Sequence, residues 1–178
     1  YLDPAAGWLV VDSASPRGVE EITGMLRKSL DTLSVAPLQV RQSPTAVMTA
    51  WLAEGGAPDE FALGDSCELR EDEAAGGVVR CRGQDLTGAE IRSHLHAGKQ
   101  VTRLGLSWDE RVAFVLDETL VIRRLQFFDV VRESLRDTAT DSVEAVFDAE
   151  FALMTGELAV WLPRLLELFG GEAEQSSV

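Results

Sequence analysis

Apolar positions change their period several times along this chain of 178 residues, and each change marks an element. Trp8-Leu9-Val10-Val11 is a short run of strand formers. Ser15-Pro16 then supplies a helix cap and a first-position proline. Val19, Ile22, Leu26, Leu30 and Leu33 follow at steps of three and four, which buries one stripe of a helix. Glu20 and Glu21 lie early in it and Arg27 and Lys28 late, as the helix dipole favours. Arg27-Lys28 read as solvated surface ahead of any binding role. Residues 35–40 read as a second strand, so strand, helix and strand permit a parallel βαβ unit. Ser43-Pro44 repeats the capping device for a short helix ending near Glu54, before Gly55-Gly56. Residues 61–70 form a candidate strand, and 71–77 a solvated polar loop ending in paired glycines.

The next stretch alternates. Val78, Arg80 and Arg82 share one face of a strand, Val79 and Cys81 the other. Thr87-Gly88-Ala89-Glu90 has the spacing of a capping box. It opens a helix with Ile91 and Leu95 on its apolar face and Gly98 at its end. From Val101 the period is two. Thr102, Leu104, Leu106 and Trp108 point one way; Val101, Arg103, Gly105 and Ser107 point the other. Val112, Phe114 and Leu116 alternate next, and 120–127 is a third strand that places Arg123 and Arg124 on opposite faces. Short polar turns join the three strands, which predicts an antiparallel meander with one face open. Residues 129–141 are charged and include a helical turn. Val143, Phe147, Phe151, Met154, Leu158, Trp161, Leu165 and Leu168 then step by three and four in a near-heptad seam. Pro163 should kink or restart this helix, and Gly170-Gly171 stops it. A stripe this wide reads as the domain's core helix, as an interface with a second copy through Phe151, Met154, Leu158, Trp161, Leu165 and Leu168, or as both. The expected fold is α+β: a mixed sheet with a C-terminal antiparallel meander and a long, Pro-interrupted C-terminal helix. Its expected regions are a βαβα(β) subdomain over 1–79, a basic strand-helix-meander over 80–128 and a helical region over 129–178.

Charge changes the picture. The chain carries a net −14, which argues against non-specific nucleic-acid binding, since phosphate neutralisation needs Lys and Arg. The charge is uneven, however. Residues 80–124 hold eight of the sixteen bases and sum to +2, while 1–79 and 125–178 sum to −8 each. A basic centre between acidic flanks is where an anionic partner would sit. The length allows one large domain or two small ones. Cys67 and Cys81 are expected as reduced thiols, and no apolar run reaches the ~20 residues of a membrane span, so the expectation is a soluble, cytosolic protein. The start at Tyr1, without Met, reads as a piece of a longer or processed polypeptide.

Candidate chemistry is thin. His94 and His96 diverge on a helix and cannot share a metal from it. Cys67 and Cys81 lack a CxxC spacing, Ser13, Ser15 and Ser66 lack a GxSxG setting, and no glycine-rich loop follows the first strand. No catalytic constellation, metal site or cofactor is expected. An acidic cleft formed only by the fold remains the enzyme alternative.

Several stretches carry a resemblance: 7–15 (Gly-Trp-Leu-Val-Val-Asp-Ser-Ala-Ser), 26–30, Gln84-Asp85-Leu86-Thr87 with Ala97-Gly98-Lys99, 151–158 (Phe-Ala-Leu-Met-Thr-Gly-Glu-Leu) and 170–173. Together the sequence resembles the C-terminal part of the bacterial RdgC family. That resemblance implies a non-enzymatic, nucleoid-associated protein of the cytoplasm. It implies a homodimeric ring around duplex DNA, with single-stranded DNA as a further option and no membrane partner. Such a ring limits access of a RecA-type recombinase. Family DNA contacts near a strand end map here to Arg82, Gly83 and Gln84. With the basic centre, the candidate DNA contacts are Arg80, Arg82, Gln84, Lys99, Arg103, Arg123 and Arg124.

Overall fold

The structure, a computed structural model, describes residues 1–58, 60–71, 76–131 and 142–173. Its contacts separate two units, Tyr1–Leu38 and Gln39–Val178. In the first, β1 (Leu2–Asp3) pairs antiparallel with β2 (Trp8–Leu9). Helix α1 (Pro16–Ser29) follows, with the Ser15 hydroxyl accepting the Gly18 N–H. Proline sits at the helix start and Arg27 and Lys28 in the last turn, while Glu20 and Glu21 fall beyond the first turn. The parallel βαβ unit does not form. Residues 33–39 carry no strand, and Val40 makes only an isolated antiparallel bridge to Glu172. Pro37 has no N–H to give a ladder, which is reason enough for the failure.

The second unit opens with α2 (Pro44–Glu54), capped by Ser43 and closed by Gly55 at φ 81°. Five strands follow: β3 (Phe61–Arg70), β4 (Val78–Arg82), β5 (Gln100–Trp108), β6 (Val112–Asp117) and β7 (Ile122–Phe127). They lie in the order β4-β3-β5-β6-β7. Every pairing is antiparallel, so the expected meander is present, but the sheet is not mixed. The short helix α3 (Ala89–His96) links β4 to β5, and α4 (Val143–Leu168) ends the unit. Of the expected loop 71–77 and helical turn 129–141, residues 72–75 and 132–141 lie outside the described residues.

One face of the sheet is the core. Leu69, Val101, Leu104, Leu106, Val112, Phe114 and Leu116 are buried there. Met48 and Leu52 of α2 and Leu158, Trp161 and Leu165 of α4 are buried as well. Trp161 stacks on Phe114 of β6 with ring centroids 4.7 Å apart, and Phe169 meets Trp51 at 5.3 Å. Three of the residues expected at an interface, Leu158, Trp161 and Leu165, are thus buried within the chain itself. The reason is width: a sheet needs its apolar face covered, and the widest part of the α4 stripe covers it. Met154 and Leu168 are half-buried, and Phe151 is 42% exposed.

Local chemistry decides three further features. Helix α4 runs through Pro163 without restarting; the carbonyl of Ala159, which loses its donor, belongs to an exposed residue that water can serve. The box at Thr87 does not close, because the Thr87 hydroxyl and N–H both donate to Asp85 Oδ1, at 2.7 and 2.8 Å. A charged acceptor two residues back outcompetes the helix start. Third, a β-bulge makes Thr102 an extra residue opposite β3. It resets the alternation, so Val101 joins Leu104 in the core while Thr102 meets Glu68.

Beyond Gly170-Gly171 the chain is stitched back to the start of the unit. Gln42 N–H donates to Phe169 O (3.0 Å), Arg41 N–H to Gly171 O (3.1 Å) and Ala173 N–H to Gln39 O (2.9 Å). Arg111, after the β5–β6 turn, donates from Nε and Nη2 to the two carboxylate oxygens of the buried Glu157 of α4. Among the described residues no helix is long and apolar enough to cross a membrane. Because Trp161 has no exposed surface, Trp161→Ala should cost about 3–5 kcal/mol in urea unfolding at fixed protein concentration. A loss below about 0.5 kcal/mol, the range of surface sites, would place it outside the core.

Candidate nucleic-acid interface

The opposite face of the sheet is where the charges meet. The register puts Arg80 of β4 across from Glu68 of β3, Glu68 across from Arg103 of β5, and Arg103 across from Asp117 of β6. Arg123 of β7 adds the last member, its Nε donating to Asp117 Oδ2 at 2.9 Å. The row therefore alternates in sign across all five strands. Directly opposed partners of unlike charge support a sheet, where like charges would weaken it.

Depth matters as much as sign. Glu68 is only 3% exposed, yet it accepts from Arg80 Nε at 2.7 Å, the Thr102 hydroxyl at 3.1 Å, and Arg70 Nη2 and Arg103 Nη1 at 3.4 Å each. The side chains of Arg80 and Arg103 remain 61% and 43% exposed. Burial alone would raise the Glu68 carboxyl, but the hydrogen bonds from Arg80 and Thr102 and the charges of Arg103 and Arg80 hold it below the usual carboxylate range. Asp117 is built alike. Burial again opposes ionisation. The Thr119 hydroxyl, the N–H groups of Val121 and Thr119, and Arg123 prevail and hold its carboxyl down. The carboxylates are the buried layer and the guanidinium groups the exposed one.

Two more arginines complete the face. Arg82 opposes Ser66. Arg124 occupies a bulge between β6 and β7 at φ 53°, and that bulge lets Arg123 and Arg124 line the same cavity instead of opposite faces. Among the described residues neither Arg82 nor Arg124 has an ion-pair partner. The cavity, about 190 Å³, is lined by Arg80, Arg82, Arg103, Arg123, Arg124, Glu68, Ser66, Val115 and the two cysteines. Five arginines against Glu68 and the neighbouring Asp117 leave a local +3. The backbone beneath is tight: a Cβ on Gly105 would lie 2.8 Å from the Ser66 hydroxyl and 3.1 Å from its carbonyl oxygen. Only glycine lets β5 run this close under the bulge in β3.

Comparison with known proteins shows what kind of chain carries this face. A protein-family model described as "Putative exonuclease, RdgC" matches residues 1–172. The chain is 42% identical over 172 residues to the recombination-associated protein RdgC of Psychromonas ingrahamii, covering 97% of this chain and 57% of that protein. It is 43% identical to the proteins of the same name from Tolumonas auensis, over 97% of this chain and 57% of the relative, and Aeromonas hydrophila, over 99% and 58%. The chain belongs to the RdgC family. It spans somewhat under three fifths of the length of these relatives.

Of the candidate contacts in this RdgC chain, Arg80, Arg82, Arg103, Arg123 and Arg124 come together in one cavity. Lys99 does not join them; it pairs with Glu71, at the far end of β3. Gln84 follows β4 and is half-buried, its N–H donating to Asp65 O at 3.3 Å. Sequence reasoning missed Glu68, Asp117, Thr102 and Arg70. The signal for Glu68 was present, an acid two residues from Arg70 in an alternating strand, but only the register shows that it meets Arg80 and Arg103. Among the described residues no group of three or more His, Cys, Asp or Glu is arranged to hold a metal ion.

The buried acids tie stability to pH. Their folded pKa values lie below the unfolded ones, so the unfolded chain binds protons more readily and stability rises with pH through that range. The contribution is complete above the ordinary carboxylate range, near pH 4–5, and is lost as pH falls through the depressed folded values. Glu68→Gln should lower stability at pH 7 by about 2–3 kcal/mol, the scale of charge-assisted hydrogen bonds, and flatten the acid limb of urea midpoint against pH. An unchanged acid limb would remove Glu68 as the anchor.

Proposed function

We propose that the arginine face of this RdgC chain contacts the phosphates of duplex DNA without sequence preference. In this reading two copies form a ring around the duplex, and their occupancy of DNA limits access of a RecA-type recombinase at the nucleoid. The observation that carries it is the layering of the open face: exposed guanidinium groups over buried carboxylates, with Arg82 and Arg124 unpaired among the described residues. Arginine forks suit phosphate oxygens, and the face of a five-stranded sheet offers no helix or two-stranded ribbon to read base edges in a groove. The names of the relatives place them in recombination.

The charge balance also favours a ring. A local +3 on a body of −14 gives few phosphate contacts, and each contact weakens with salt. Two copies around one duplex double the contacts and make the second set intramolecular. The exposed residues of α4, with Phe147 at 64% and Val143 at 82%, offer an apolar surface for such pairing. The alternative is a dimerisation module whose DNA binding needs the rest of the RdgC length. The description of the family model as an exonuclease supplies a further outcome to test.

Arg82→Glu with Arg124→Glu should weaken binding of a labelled duplex about tenfold or more in fluorescence anisotropy. The slope of log affinity against log salt should fall by about 1 per arginine, and by the same amount on duplexes of unrelated sequence. Unchanged affinity would remove the face from DNA contact. Shortening of the duplex in the presence of Mg²⁺ would favour the exonuclease description. Phe147→Glu should shift sedimentation from dimer to monomer; an unshifted dimer would place the interface elsewhere.

A further inference from the structure

Cys67 on β3 and Cys81 on β4 are direct cross-strand partners. Directly opposed residues of an antiparallel pair have Cα atoms about 4.5–5.5 Å apart, inside the window of about 4.4–6.8 Å that a disulfide spans. Both thiols are free, and Cys81 lies close enough to Cys67 to bear on its ionisation. Each keeps 5–6% exposure, and the register turns both side chains to the face of Leu69 and Leu104 rather than to that of Arg80 and Arg103, so a small oxidant reaches them only through that slight opening. We propose that Cys67 and Cys81 are an oxidisable dithiol that closes a cross-strand disulfide with a hydroperoxide, locking the β3–β4 ladder beside Arg80 and Arg82. The proposal stands apart from DNA binding and holds whether or not the arginines meet phosphate.

The chemistry balances with the hydroperoxide as the sole oxidant. The Cys67 sulfur gives up its proton and attacks the outer peroxide oxygen. The O–O bond breaks, the departing oxygen takes a proton and leaves as alcohol or water, and Cys67 becomes a sulfenic acid. The Cys81 sulfur then gives up its proton and attacks the Cys67 sulfur. The S–O bond breaks and water leaves. Two thiols and one hydroperoxide become one disulfide, one alcohol and one water, with two electrons passing from sulfur to oxygen.

The two steps differ in speed. Burial, and then the neighbouring Cys81, push the Cys67 thiol up to about 12, so thiolate is scarce at neutral pH and the first step is slow. The second step needs no search, because the resolving thiol is in place. A sulfenic acid formed here is captured before a second peroxide carries it to the sulfinic level.

Native protein is incubated with hydrogen peroxide at neutral and at mildly alkaline pH, remaining thiols are alkylated, and the digest is mapped by mass without reduction. The expected product is one cross-linked pair of peptides containing Cys67 and Cys81, two hydrogens lighter than the separate peptides. It forms faster at the higher pH, opens with a dithiol reductant and is absent in Cys81→Ser. Recovery of both cysteines as alkylated thiols, with cross-linking only after unfolding in urea, would overturn the proposal. Recovery of Cys67 two oxygens heavier, as a sulfinic acid with Cys81 untouched, would overturn it too.

Discussion

A carboxylate with almost no contact with water holds three guanidinium groups at the surface of this protein. Leaving Glu68 ionised at that depth is unfavourable by itself, because an isolated buried anion sheds its charge by taking a proton. Arg70, Arg80, Arg103 and Thr102 reverse the balance. The reverse also holds. Arginines on neighbouring strands repel one another, and a face carrying several of them is unstable without an anion between. Glu68 and Asp117 supply one anion for each gap in the row. The open face is thus cationic toward solvent and close to neutral within the sheet.

That arrangement explains how a basic surface persists on a strongly acidic chain. Beyond about 8 Å at physiological ionic strength, exposed charges are largely screened, so a ligand at the face senses the nearest groups more than the sum. The nearest groups are guanidinium ends, because the carboxylates lie beneath them. The same layering separates two roles. Arg80, Arg103 and Arg123 are held by acids and give the face its shape. Arg82 and Arg124 sit at its two sides without an ion-pair partner among the described residues and supply charge not yet offset. An anion bound there completes the alternation that the sheet began.

Much of the fold was legible because its signals are local. Ser15 and Ser43 cap the helices they precede, Gly55 ends α2, and β3 spans the residues marked for it. What stayed hidden depends on partners distant in sequence. Strand register decides that Glu68 meets both Arg80 and Arg103, and nothing near residue 68 encodes residue 103. Alternation fails at Thr102 and at Arg124 because each bulge inserts one residue and swaps the faces that follow. The helix Pro44–Glu54 carries its buried Met48, Trp51 and Leu52 within a segment apolar on most sides, so the Ser43-Pro44 cap gave its existence while periodicity could not give its facing.

The bulges connect these hidden features to the site. A regular β7 would send Arg123 and Arg124 to opposite sides, with one guanidinium aimed into the apolar core. The left-handed turn at Arg124 is unfavourable for a residue bearing a Cβ, but burying an unpaired arginine is far more so. The bulge at Thr102 works the same way on the other side of the row. It sends Val101 inward to the core and brings a hydroxyl to Glu68. These two irregularities therefore relieve a conflict between an apolar face that needs filling and a polar face that needs its charges kept together. The arginine cavity lies where those two corrections converge.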